Sequence, residues 1–238
     1  MIPMIPRWKA IAPVRVALCG LLVLAACTDA PRGERIEPPA ESIAPDRASS
    51  GAVARPVVVF LGTSLTAAYG LHPAAGFPAR IQRLADSAGL AYDIVNAGVS
   101  GETSAAARRR LTWLLRERAP AVLVIETGAN DGLRGLDTDS LKANLLAMIA
   151  EARAQPQPPK LLLLGVLALP NLGAEYGRRF AAVYRDVSRE AGVPLLPFLL
   201  VGVAGVDSLN QPDGVHPTAA GQQLVAGTVW KAVEPLLR

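Results

Sequence analysis

From residue 56 onward, short apolar runs alternate with longer stretches in which apolar and polar positions recur at helical spacing. The short runs fall at 57–61, 92–95, 121–126, 161–167 and 195–198. Each is bounded by Gly, Pro, Asn or charged residues, and together they predict five strands. They are apolar throughout rather than alternating, which is the pattern of strands buried on both faces of a parallel sheet. The stretches between and after them predict helices over 77–88, 104–117, 140–154, 175–191 and 218–237. In the fourth, Phe180, Val183, Tyr184 and Val187 recur as a core-facing stripe. No internal repeat interrupts this alternation. It predicts an α/β domain over 56–238 with a three-layer, flavodoxin-like arrangement around a central, mainly parallel five-stranded sheet. Ligands bind such sheets off the carboxyl ends of the strands, so the residues that follow each strand are the first candidates for function.

The segment before residue 56 follows a different pattern. Arg7, Lys9 and Arg15 precede an apolar run over 16–26, and Leu24-Ala25-Ala26 stands directly before Cys27. A basic region, a short apolar region and small residues at its end make up a secretory signal. The run is well short of the ~20 residues that span a bilayer as a helix. Leu24-Ala25-Ala26-Cys27 also resembles the lipobox of bacterial lipoproteins, which implies removal of residues 1–26, lipid attachment at Cys27 and export to the periplasmic side. Thr28, where an Asp signals inner-membrane retention, points to the outer membrane. Residues 28–55 are rich in Pro, Ala, Ser and charge without sustained periodicity, and read as a linker. Of the two cysteines, Cys19 leaves with the signal, so no intrachain disulfide is expected in the mature chain.

Composition changes this picture little. The 238 residues, about half of them apolar, can bury one sizeable core. The formal charge of +4 includes the three basic residues of the signal; without them, 21 of the 24 basic residues face 20 acidic ones. No basic cluster with interleaved aromatics follows, so nucleic acid is not an expected partner. Arg108-Arg109-Arg110 reads as one solvated helix face. No Cys/His cluster suggests zinc and no G-x-x-x-x-G-K-[ST] loop a nucleotide, so neither metal nor cofactor is expected.

The chemistry lies just after the strands. Gly62-Thr63-Ser64-Leu65 puts a serine on a tight turn after the first strand, where it is either a helix N-cap or a nucleophile. Thr66 stands where the G-x-S-x-G nucleophile elbow demands glycine, which excludes that motif. A serine nucleophile needs a base, and the chain holds two histidines. His72, in a loop with no carboxylate close in sequence, reads as an exposed loop residue. His216 ends Asp213-Gly214-Val215-His216, where the Asp-Gly turn lets the carboxylate reach Nδ1 and leaves Nε2 to take a proton. After the second strand, residues 96–104 hold Gly98 and Gly101, which let a backbone N–H approach a ligand. After the third, Gly128-Ala129-Asn130-Asp131-Gly132 offers a side-chain amide. Each segment alone is an ordinary loop. Three of them after successive strands, with D-x-x-H near the end, suggest an acyl-transfer site.

These segments resemble, in order, the four sequence blocks of the SGNH (GDSL-type) hydrolases across residues 56–238. The resemblance implies Ser64 as nucleophile, Gly101 as backbone oxyanion donor, Asn130 as amide donor, and Asp213 with His216 as the remaining catalytic pair. Gly128 to Gly135, Tyr176 to Phe180 and Val193 to Phe198 are similar to the bacterial periplasmic thioesterase, lysophospholipase and arylesterase branch. The expectation is a cofactor-free ester hydrolase acting on small-molecule or lipid esters and tethered to a membrane through Cys27. Thr63 replaces the family's usual aspartate and leaves open how the nucleophile turn is braced. Two other functions remain compatible with the residues: an O-acetyl deacetylase of cell-envelope glycan, and a lipid-binding lipoprotein on a disabled scaffold. Residues 199–211, apolar and just ahead of Asp213, fit either a substrate wall or core packing.

Overall fold

In the computed structural model, which describes residues 54–238, the expected strands form one parallel sheet. They are β1 (Val57–Gly62), β2 (Asp93–Gly98), β3 (Val122–Glu126), β4 (Lys160–Leu164) and β5 (Leu195–Leu196), in the order β2-β1-β3-β4-β5. Register is set by pairs such as Phe60 with Asn96 on one side and Phe60 with Val124 on the other. The sheet lies between two helical layers. α1 (Phe77–Ser87) packs with α6 (Ala219–Leu237), while α2 (Ser104–Arg118) and α5 (Gly173–Ala191) each pack with α4 (Thr138–Arg153). The five-residue α3 (Ala129–Leu133) follows β3 directly. The flavodoxin-like order reverses between β1 and β3, which opens the crevice where Ser64 and Asn130 sit.

Burial follows position in the sheet. Val58 to Leu61 and Val122 to Ile125 are buried in the centre, sheathed by Phe77, Ile81, Leu111, Leu145 and Tyr184. β2 is an edge strand and only partly buried, unlike the expectation from its apolar run. The strand bounds differ most at three places. β2 continues to Gly98, which pairs with Gly62, so that Asn96 and Ala97 belong to the strand rather than to the loop. β4 stops at Leu164, although Gly165 still donates to Leu196 O at 2.8 Å and accepts from Leu199 N–H at 2.8 Å. β5 keeps two residues between Pro194 and Pro197, which have no N–H to donate to a ladder. α3 appears where a loop was expected; Gly128, at φ +109°, makes the left-handed step that starts it.

Two glycines separate fold from site. An added Cβ at Gly227 in α6 has no neighbouring atom within 4 Å, so Gly227→Ala is expected to raise unfolding free energy by about 1 kcal/mol. The same methyl at Gly98 would lie 2.4 Å from the Ala67 nitrogen and 2.9 Å from the Thr63 oxygen. Gly98→Ala is expected to lower both stability and activity. Urea denaturation of the two variants, with shifts of the same sign, would contradict this packing.

Candidate active site

The turn after β1 carries Ser64. It is closed by Ala67 N–H to Thr63 O at 2.9 Å and Tyr69 N–H to Ser64 O at 3.0 Å. Residues 64–70 form turns, so Ser64 is not a helix N-cap. His216 reaches it from the segment before α6, with Nε2 2.9 Å from Ser64 Oγ across 152 residues of chain. On the other side of the ring, Nδ1 lies 2.7 Å from Asp213 Oδ2. The second Asp213 oxygen accepts the backbone N–H groups of Val215 and His216 at 2.9 and 3.0 Å, so the carboxylate folds its own loop around Gly214. Burial works to raise the Asp213 carboxyl, but the backbone and ring N–H of His216 and the N–H of Val215 together hold it below the ordinary carboxylate range. Tyr69 covers the imidazole, its ring centroid 4.7 Å away. His72 is exposed, as expected, and caps the short 3-10 turn at Pro73–Ala75 through Nδ1.

The loop between β2 and α2 faces this row. Gly101 sits there at φ +79° in an exposed turn. Asn130, in α3, donates from Nδ2 to Glu102 O at 3.0 Å; an amide nitrogen carries two hydrogens, and that bond uses one. The loop is held from three directions. Arg134 donates to Gly101 O at 3.0 Å. Asp131 accepts the Ser104 N–H and hydroxyl at 2.8 and 2.6 Å, capping α2 from a neighbouring turn. Arg110 pairs with both Glu102 oxygens at 2.7 Å and donates to Ala97 O at 2.7 Å. The arginine run is therefore not one solvated face. Arg108 and Arg109 are exposed, but Arg110 turns inward and ties β2 to the Gly101 loop.

Beside Ser64 opens a pocket lined by Leu65, Ala129, Leu133, Val166, Leu167, Leu169, Phe198, Leu200 and Val215. Apart from Ser64, every side chain in it is apolar. Of the 199–211 segment, Leu200 joins this lining, while Leu199, Val203 and Ala204 are core.

The residue that sequence reasoning missed is Glu126. Fully buried at the end of β3, it accepts Thr63 N–H and Thr66 Oγ1–H on Oε2, each at 2.8 Å, and the Thr63 hydroxyl at 3.0 Å on Oε1. Its signal was a single acid closing an otherwise apolar run. Burial pushes its carboxyl up to about 7, against the lowering effect of the bonds from Thr63 and Thr66.

Fold and site together place a serine, an imidazole and a carboxylate in one hydrogen-bonded row at the carboxyl edge of a parallel α/β sheet. The chain belongs to the GDSL-like lipase/acylhydrolase family, whose sequence model matches residues 60–224. It is 44% identical over 181 residues to the esterase TesA of Pseudomonas aeruginosa, covering 76% of this chain and 89% of that one. It is 33% identical to thioesterase 1/protease 1/lysophospholipase L1 of Escherichia coli K12, over 78% and 87% of the two chains. Among solved structures, the psychrotrophic esterase EstA from Pseudoalteromonas sp., inhibited by monoethylphosphonate, superposes with a TM-score of 0.72 at 32% identity, covering 76% of this chain and 98% of that one.

The raised Glu126 carboxyl links stability to pH. The folded chain binds this proton more tightly than the unfolded one, whose value lies near 4.5. The stability it contributes is therefore fully present below that value and lost as pH rises through about 7. Unfolding free energy is expected to fall by about 3 kcal/mol across this window, and Glu126→Gln to flatten the fall. Denaturant titrations of both proteins from pH 4 to 8 check this; parallel curves would refute it.

Proposed function

We propose that the chain hydrolyses carboxylic esters, and thioesters of similar shape, of short to medium acyl length, with Ser64 as nucleophile, His216 as base and Asp213 as its orienter. The observation that carries this reading is the hydrogen-bonded row from Ser64 Oγ through His216 to Asp213, opening beside an apolar pocket. Ser64 Oγ attacks the ester carbonyl carbon while its proton passes to His216 Nε2. Asp213, already bonded to Nδ1, stabilises the imidazolium that forms. The carbonyl oxygen becomes an oxyanion, received by the Gly101 N–H and the Asn130 amide. Collapse breaks the ester C–O bond, and His216 returns the proton to the leaving oxygen. A water then attacks the acyl-serine carbonyl, giving a proton to His216; collapse breaks the acyl C–O bond to Ser64, His216 returns that proton to Ser64 Oγ, and the carboxylic acid leaves.

The apolar lining favours an acyl chain over a sugar, whose hydroxyls would find no partners there. Aryl esters and lysophospholipids therefore fit the pocket better than an acetylated glycan. The E. coli relative's name includes both thioesterase and lysophospholipase, which supports the same substrate range. The basic flank, apolar run and lipobox-like sequence support export of the chain, lipid attachment at Cys27 and a place on the periplasmic face of the outer membrane, although these residues lie outside those the structure describes. A tethered domain is held at high local concentration beside lipid esters.

Ser64→Ala and His216→Ala are each expected to abolish most hydrolysis, and the double variant to lose little more, because the two act as a unit. Asn130→Ala is expected to lower kcat by roughly 10²–10³ with a smaller change in KM. Aryl esters of graded acyl length, with lysophospholipid and acetyl-sugar esters beside them, give the readout. Near-normal turnover in a folded variant would overturn the assignment, and cleavage of acetyl sugars alone would favour a deacetylase. Cys27→Ala should leave domain activity intact while removing the protein from the membrane fraction; unchanged fractionation would refute lipidation.

A further inference from the structure

Glu126 is a fully buried carboxyl that the hydrolytic steps do not use. It lies on β3, more than 60 residues from the nucleophile in sequence, yet its carboxyl sits directly beneath the serine turn. The two residues it binds, Thr63 and Thr66, flank Ser64 and are themselves fully buried. A Cβ at Gly62 would fall 2.0 Å from Thr66 Oγ1 and 2.9 Å from Glu126 Oε2, so glycine at the end of β1 makes the room the carboxyl occupies. No ion pair to Glu126 appears among the described residues. Its partners are all hydrogen-bond donors of one turn.

That turn has a cost to meet. Ala68, buried and not a glycine, is held at φ +57°, in the left-handed region that disfavours an L side chain. Such conformations persist where surrounding contacts over-determine them. Asn96 adds a bond to Thr66 O at 2.9 Å and Gln222 one to Leu65 O at 3.3 Å, but Glu126 alone holds both sides of the serine.

Resting on the reading of Ser64 as nucleophile, we infer that Glu126 is a positioning residue: by accepting the Thr63 N–H and the Thr63 and Thr66 hydroxyls, its carboxyl fixes the turn so that Ser64 Oγ meets His216 Nε2. Thr63 is part of the same device. A hydroxyl there donates to the buried carboxyl, so the acid that braces the turn comes from β3 and not from position 63. Small misplacements of a nucleophile are expensive in rate and inexpensive in binding, which separates this role from mere support of the fold.

The test is the rate at which a fluorophosphonate labels Ser64 in the folded full chain, measured with kcat and KM on an aryl ester. Above about pH 7, where the carboxyl is ionised, Glu126→Gln keeps the shape but loses the charge-assisted bonds, and is expected to lower the labelling rate and kcat together by about 10- to 100-fold. KM should stay within about threefold. Thr63→Val should act in the same direction, and Thr63→Ser, which keeps the hydroxyl, should recover most of the lost rate. A folded Glu126→Gln protein labelled at the wild-type rate overturns the inference. If that variant does not fold, wild-type labelling in Thr63→Val overturns it equally. Absence of labelling in the wild type would instead bring down the reading of Ser64, and this inference with it.

Discussion

The serine turn at the end of a central strand sits on backbone that water cannot reach, and that backbone still has to be hydrogen-bonded. β1 is buried along almost its whole length, and the turn that follows it is buried at Thr63, Leu65, Thr66 and Ala68. The turn closes few bonds of its own, so the rest of the molecule supplies them. β3 sends Glu126, β2 sends Asn96 and α6 sends Gln222, whose amide oxygen also takes the Phe77 N–H at the start of α1. Strand order matters for this reason: β2 and β3 are the two neighbours of β1, and each places a polar side chain at its carboxyl end within reach of the same few residues.

The facing loop is organised by charge rather than by apolar contact. Glu102 is buried and would be costly alone, but Arg110 meets it with Nε and Nη2 as a planar fork, and Nη2 also donates to strand carbonyls. Asp131 does comparable work at the start of α2, where Thr103 makes no side-chain cap of its own. The pocket beside Ser64 is left almost entirely apolar. Polar groups hold the walls, and the interior is apolar.

Much of this was legible in the sequence. The five apolar runs gave all five strands, and the helical stripe of Phe180, Val183, Tyr184 and Val187 is buried as its spacing implied. Ser64, His216 and Asp213 were readable because their chemistry is tied to strand ends and to a local D-x-x-H spacing, and the structure brings the three side chains into contact. What escaped depends on contacts far apart in the chain. Nothing local distinguishes Arg110 from Arg109, and only the approach of Glu102 and Ala97 turns it inward. Glu126 looked like the polar end of an apolar run until the Thr63 and Thr66 donors closed over it. α3 was hidden because Asn, Asp and Gly in succession favour turns, and its single helical turn is imposed by the left-handed step at Gly128. β5 was overestimated because its prolines, not its leucines, decide how much of it can pair.

The separation of His216 from Ser64 also has a consequence for how activity arises during synthesis. The imidazole and its carboxylate are three residues apart and share one self-bonded loop, so they form a preassembled half-site. The serine follows the first strand and is translated some 150 residues earlier. Contacts of such long sequence separation form late, after the loop-closure entropy between them has been met. The Ser64–His216 contact therefore forms only when the loop before α6 docks against the turn after β1. The pair is complete only in a molecule whose first strand and last helix are both in place.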